Sequence, residues 1–211
     1  MALIQGSPLA LPTAAQRSGN SVGVPSGLYS ELAITELAPR YSTLAKLGKI
    51  FAARGALQTL SVSGTAMTGL IVWNSSSPSG GGVDLHLLKA SGNVAVTSAT
   101  TTGIALGYVK VQSNAPTTTT AATQACTYIG GSTGVGLAYT VATVASAPVA
   151  QFDVLHNTAA IAATGEDPGF LIDFEGSIIL PPQTAVAFVA LGAASAASAV
   201  NLSLLWAELP S

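Results

Sequence analysis

Residues 130–134 read Gly-Gly-Ser-Thr-Gly, the G-x-S-x-G pattern in which a strained turn lifts a nucleophilic serine into reach of substrate. For Ser132 to act this way, a strand must precede it and a helix must follow it. An Asp and a His further along must orient and take its proton. Asp153 and His156 do follow, but they stand three apart in one short strand-like run, and residues at that spacing face opposite sides of a regular strand. No helical period follows Ser132. In a chain with 22 glycines and abundant serine the match arises readily by coincidence, so no hydrolase is expected.

Asp84-x-His86 puts a carboxylate and an imidazole on one strand face, a spacing that would supply two metal ligands, with Asp153 and His156 as a second pair. The plainer reading is solvent-facing polar residues on half-buried strands. Cys126 is the only cysteine, which excludes an intrachain disulfide and a thiolate cluster and leaves it as a small buried hydrophobe. Trp73-Asn74 and Trp206 read as core or interface anchors, since a sugar platform would offer several exposed aromatics with acidic or amide partners. Glu166-Asp167 reads as a turn, and Asp173 and Glu175 as outward strand positions. Neither a phosphate loop nor a catalytic carboxylate pair emerges. The expectation is a protein without catalysis, cofactor, metal or small-molecule substrate.

What remains is a surface with very little charge. The 211 residues carry 7 basic and 9 acidic side chains, against roughly 50 for an ordinary composition. Between Lys110 and Asp153 lie 42 residues without a charge, and between Glu175 and Glu208 another 32. Pro181-Pro182, Gly130-Gly131 and the Thr117–Thr120 run break these stretches, so neither reads as the ~20 predominantly apolar residues of a spanning helix. The 6% aromatic content is thin for the girdles of a membrane barrel, and Met1–Pro8 does not read as a secretory signal. A net charge of −2, with basic residues that form no dense run, offers no footprint for nucleic acid.

The elements that would position these residues are mostly strands. Residues 1–39 hold Pro8, Pro12, Pro25 and Pro39 and read as an extended arm, with a short helix possible at Ser30–Leu37. Residues 40–55 form a helical connector. In it, Leu44, Leu47, Ile50 and Phe51 recur at three- and four-residue spacing over Tyr41–Arg54, Ser42 caps the start and Gly55 stops the end. From 56 to 211 short strands alternate with turn clusters: Leu57–Ser63, Gly69–Asn74, Val83–Lys89, Ile104–Val111, Gly136–Val144, Gln151–Asn157, Phe170–Glu175, Ile178–Leu180, Ala185–Leu191 and Val200–Leu209. Ser91-Gly92-Asn93 and Ser113–Thr123 read as separators. In the last strand Val200, Leu202, Leu204 and Trp206 share a face, and in the seventh Phe170, Ile172 and Phe174 point inward. Nine or ten short strands favour an all-β, antiparallel, jelly-roll-like sandwich.

Several segments resemble the small jelly-roll capsid decoration (cement) and head spike proteins of tailed bacteriophages. They are Tyr41–Phe51, Thr68–Asn74, Gly80–Lys89, Gly176–Ala187 and Leu204–Pro210. The resemblance spans about Tyr41 to Pro210 and rests on the style and order of these segments. It implies a homotrimer on the virion surface that binds the major capsid protein lattice and staples neighbouring subunits, with the arm reaching across. Arg40, Tyr41, Lys46, Lys49, Phe51 and Arg54 are the expected partner-binding residues. A receptor- or glycan-binding head fibre or tail component on the same fold is the alternative.

Overall fold

The computed structural model describes residues 41–61, 64–79, 82–96, 103–109, 114–157, 169–191 and 198–211, with backbone alone for 95–96, 150–157 and 198. The chain divides into two units, Met1–Lys46 and Leu47–Ser211. In the first, helix α1 (Ser42–Lys46) begins with the Ala45 amide donating to the Tyr41 carbonyl at 2.9 Å. The arm of residues 1–39, the helix expected at Ser30–Leu37, and Arg40 lie outside the described residues.

The described part of the second unit is all strand and turn: β1 (Ile50–Arg54), β2 (Gln58–Thr59), β3 (Ala66–Asn74), β4 (Val83–Val96), β5 (Gly103–Val109), β6 (Thr117–Ala121), β7 (Thr123–Cys126), β8 (Gly136–Thr143), β9 (Val149–Asn157), β10 (Phe170–Leu180), β11 (Ala185–Ala190) and β12 (Ser198–Pro210). Every pairing is antiparallel. The first sheet runs β10-β4-β12-β1-β7, with β2 also on β12, and the second runs β6-β8-β3-β11-β5-β9. This is an antiparallel two-sheet arrangement, as the strand pattern predicts.

The core follows from period-two alternation. Val200, Leu202, Leu204 and Trp206 of β12 all point inward and are at most 2% exposed, meeting Leu70 and Val72 of β3 and Val186 and Phe188 of β11. Each such side chain contributes roughly 1.5–3 kcal/mol by leaving water. All six residues of β11 are buried: Val186, Phe188 and Ala190 join this core, while Ala185, Ala187 and Val189 join a second apolar cluster with Met67, Ile71 and Trp73 on the other face. A strand buried on both faces reads as a continuous apolar run, which is what Ala185–Ala190 is.

Four expectations are corrected. The helix expected over Tyr41–Arg54 covers only Ser42–Lys46, and Ile50–Arg54 is strand β1, inserted between β12 and β7. Gly48, at φ +66°, leaves the helical region, and pairing on both sides then outweighs a periodicity too short to tell helix from strand. The Ser113–Thr123 separator contains β6 and the first residue of β7. Ser91-Gly92-Asn93 runs straight through the middle of β4, paired throughout with β12. A side chain at Gly92 would meet the Asn201 carbonyl at 2.7 Å, so this glycine serves close packing and not a turn. The two strands expected around Gly176 are one, β10, bulged where Glu175 and Gly176 take positive φ.

Two half-buried side-chain amides join the sheets. Gln58 of β2 donates to the Gly69 carbonyl at 3.0 Å and to the Thr140 carbonyl, at the place where β3 bulges with Gly69 at φ +127°. Where the chain crosses from the second sheet to the first after β6, Gln124 acts as a missing strand residue for β8. Its amide donates to the Gly136 carbonyl at 2.6 Å, and its oxygen accepts from the Ala138 amide at 3.1 Å. Both meet the requirement that buried backbone groups be paired.

Candidate functional site

The loop between β7 and β8 holds the Gly-Gly-Ser-Thr-Gly segment, and its geometry explains the glycines without a nucleophile. Ser132 is exposed, and strand β8 follows in place of a helix. Beneath the loop lies Glu208 of β12, only 6% exposed. Its carboxylate accepts from the Val135 amide at 3.0 Å, the Gly136 amide at 2.8 Å and the Trp206 indole Nε1 at 3.2 Å. A side chain at Gly134 would land on that carboxylate, and one at Gly136 would meet Trp206 Nε1 at 2.8 Å. Gly134 and Gly136 therefore let the loop backbone close over a buried acid that ties β12 to the start of β8. Sequence reasoning passed over Glu208, and no local signal marks it: its partners lie 72 and 73 residues away.

The other chemical candidates do not converge on a site. Asp153 and His156 lie on β9 with their side chains outside the described residues, and the ladder to β5 slips between Val154 and His156, so simple alternation does not relate their faces. Asp84 and His86 are half-buried on β4, and the Asp84 carboxylate accepts from the Ser211 hydroxyl at 3.1 Å. No cluster of three or more His, Cys, Asp or Glu occurs among the described residues. Cys126 is half-buried at the end of β7. Asn74 is fully buried, donating to the Val83 and Leu180 carbonyls at 2.7 and 2.9 Å while accepting from the Ser76 amide and hydroxyl, so it clamps the chain and presents nothing outward. Burial pushes the Tyr139 hydroxyl above its ordinary 10.0, which extends its neutral form further into the alkaline range.

Of the expected partner-binding residues, Tyr41 is half-buried and Lys46, Lys49 and Arg54 are exposed. Phe51 is a correction: it is 3% exposed and stacks on Trp206, ring centres 6.2 Å apart at 25°, because β1 turns it into the core. Lys49 and Arg54 do not share a helix, since one precedes β1 and the other ends it. Arg54 belongs to a cross-sheet row with Ser203, Ser91 and Leu171. With Asn93 and Asn201 these line a concavity of about 590 Å³ on the first sheet. Two rows along, on the same face, Lys89 meets Asp173 at 3.6 Å on the surface.

The most extended open feature is neutral. Every residue of β6 is exposed, Thr123 and Ala125 of β7 are exposed, and the following loop carries Tyr128 at 53% and Ile129 at 97% exposure. Residues 114–137 of the charge-free stretch therefore lie largely on the surface, along one side of the two sheets.

Fold and surface together define an antiparallel two-sheet β protein with a hydroxyl-rich, uncharged edge. No helix among the described residues is long and apolar enough to cross a membrane. Comparison with known proteins yields no family model, no curated protein and no solved structure that matches the chain.

Proposed function

We propose that this chain is a non-enzymatic virion structural protein, a capsid decoration protein that binds and stabilises the lattice of a major capsid protein. The observation that carries the reading is the neutral, exposed edge of β6, β7 and the loop after them. Such a surface can be covered by protein without the cost of burying unpaired ions, and it offers little to a charged ligand.

Strand order supports the finer fold. The orders β1-β12-β4-β10 and β3-β11-β5-β9 are consistent with a jelly roll, in which chain-consecutive strands fold back as pairs across two sheets. β6, β7 and β8 are then an insertion that widens both sheets on one side. On this reading the protein is a homotrimer on the capsid surface, with residues 1–39, α1 and the basic residues Lys46, Lys49 and Arg54 toward the lattice. Expanded capsids incubated with the full chain should bind it and melt at higher temperature, and deleting residues 1–39 should abolish attachment. Unchanged decoration by the truncated chain would refute the role of the arm, and failure of the full chain to bind would refute the reading.

One observation favours the alternative, a glycan- or receptor-binding head fibre. The concavity on the first sheet is lined by Arg54, Ser91, Asn93, Asn201 and Ser203, a guanidinium, amides and hydroxyls suited to sugar hydroxyls. Binding of surface polysaccharide that is lost in Asn93→Ala and Asn201→Ala, with capsid stability unaffected, would select it.

A further inference from the structure

We infer that the edge formed by β6, β7 and the β7–β8 loop is a self-association surface, occupied by a second copy of this chain. Three observations on the same patch carry this. The first is size and neutrality. Of the 24 residues from 114 to 137, 17 are exposed and none is charged, close to the roughly 20–30 residues that one partner contributes to a standard interface.

The second is the contrast with the opposite edge of the first sheet. There β10 carries a bulge with positive φ at Glu175 and Gly176, and exposed Asp173 and Glu175. Bulges and charges are the devices that keep a sheet edge from pairing with another chain. β7 has neither, its register with β1 being unbroken from Thr123 to Cys126, while β6 on the second sheet is uncharged but slips against β8 with Thr118 at φ +49°.

The third is that projection and recess lie side by side. Ile129, 97% exposed, is the most exposed large apolar residue described, and it stands on the rim of a groove of about 470 Å³ between the loop and β7, lined also by Phe51, Cys126, Tyr128 and Leu137. An apolar knob and an apolar groove on one patch are what an isologous contact uses, each copy filling the other's groove across a two-fold axis. A foreign partner would require only one of them. This contact is separate from the three-fold assembly of the capsid reading, but it draws on the same neutral edge, which a second copy would cover in place of the lattice.

Sedimentation velocity of the full chain over a wide concentration range tests it. The wild type should self-associate, and Ile129→Asp and Tyr128→Ser should each weaken the association about tenfold or more. Leu171→Asp, at a 70% exposed position on β10, should leave it unchanged. Hydrogen exchange in the loop around Ile129 should slow as concentration rises. A wild type that stays monomeric throughout overturns the inference, as does association that Ile129→Asp leaves untouched. If the chain is monomeric alone yet Ile129→Asp abolishes binding to capsids, the patch belongs to a different protein and self-association is likewise refuted.

Discussion

Replacing Glu208 by alanine removes the acceptor for three buried donors, the Val135 and Gly136 amides and the Trp206 indole N–H. Bonds to a charged acceptor each contribute about 1.5–3 kcal/mol net, and water entering the vacated space would recover part of the sum. The expected loss is therefore about 3–5 kcal/mol. Glu208→Gln keeps the size and one acceptor oxygen but turns an NH₂ toward a backbone N–H, so it should cost about 2 kcal/mol. Urea unfolding followed by tryptophan fluorescence is the assay, since Trp206 reports on the site directly, and protein concentration must be held fixed if the chain associates. The m-values should stay equal, and Tm should fall by about 2–4 °C per kcal/mol for a chain of this size. If alanine costs less than about 1 kcal/mol, or if Gln and Ala are equivalent, Glu208 is not the clasp described.

Gly134→Ala places a methyl group on the Glu208 carboxylate and should cost about 1–3 kcal/mol; in the Glu208→Ala background that penalty should vanish, which a double-mutant cycle reads. Asn74→Ala leaves the Val83 and Leu180 carbonyls and the Ser76 groups without their shared partner, an expected loss of about 3 kcal/mol by denaturant unfolding. Lys89→Ala or Asp173→Ala should change stability by less than about 1 kcal/mol, because this ion pair sits in solvent. Tyr139 is held neutral in the fold with its pKa above the unfolded value of 10.0, so the native state keeps a proton that the unfolded chain gives up. Its contribution to stability should therefore fall as pH rises through 10 and stay flat below, and Tyr139→Phe should flatten the alkaline limb of the unfolding profile.

By itself the sequence determined that this is a strand protein and which faces are buried. Val200, Leu202, Leu204 and Trp206, and the alternation from Phe170 to Glu175, are legible because side chains on a strand alternate with a period of two, and that period is written locally. The sparse charge was equally plain. Tertiary structure decided the rest. Whether Ile50–Arg54 is helix or strand depends on β12 and β7, strands far along the chain that take it in on both sides. Whether Gly92 and Gly134 are turns or close approaches depends on what lies against them, Asn201 in one case and Glu208 in the other. The Thr117–Ala121 run, weak in apolar signal, becomes a strand because β8 supplies the ladder. A chain records its own periodicity residue by residue, but it records pairing partners only through contacts that exist once distant segments meet.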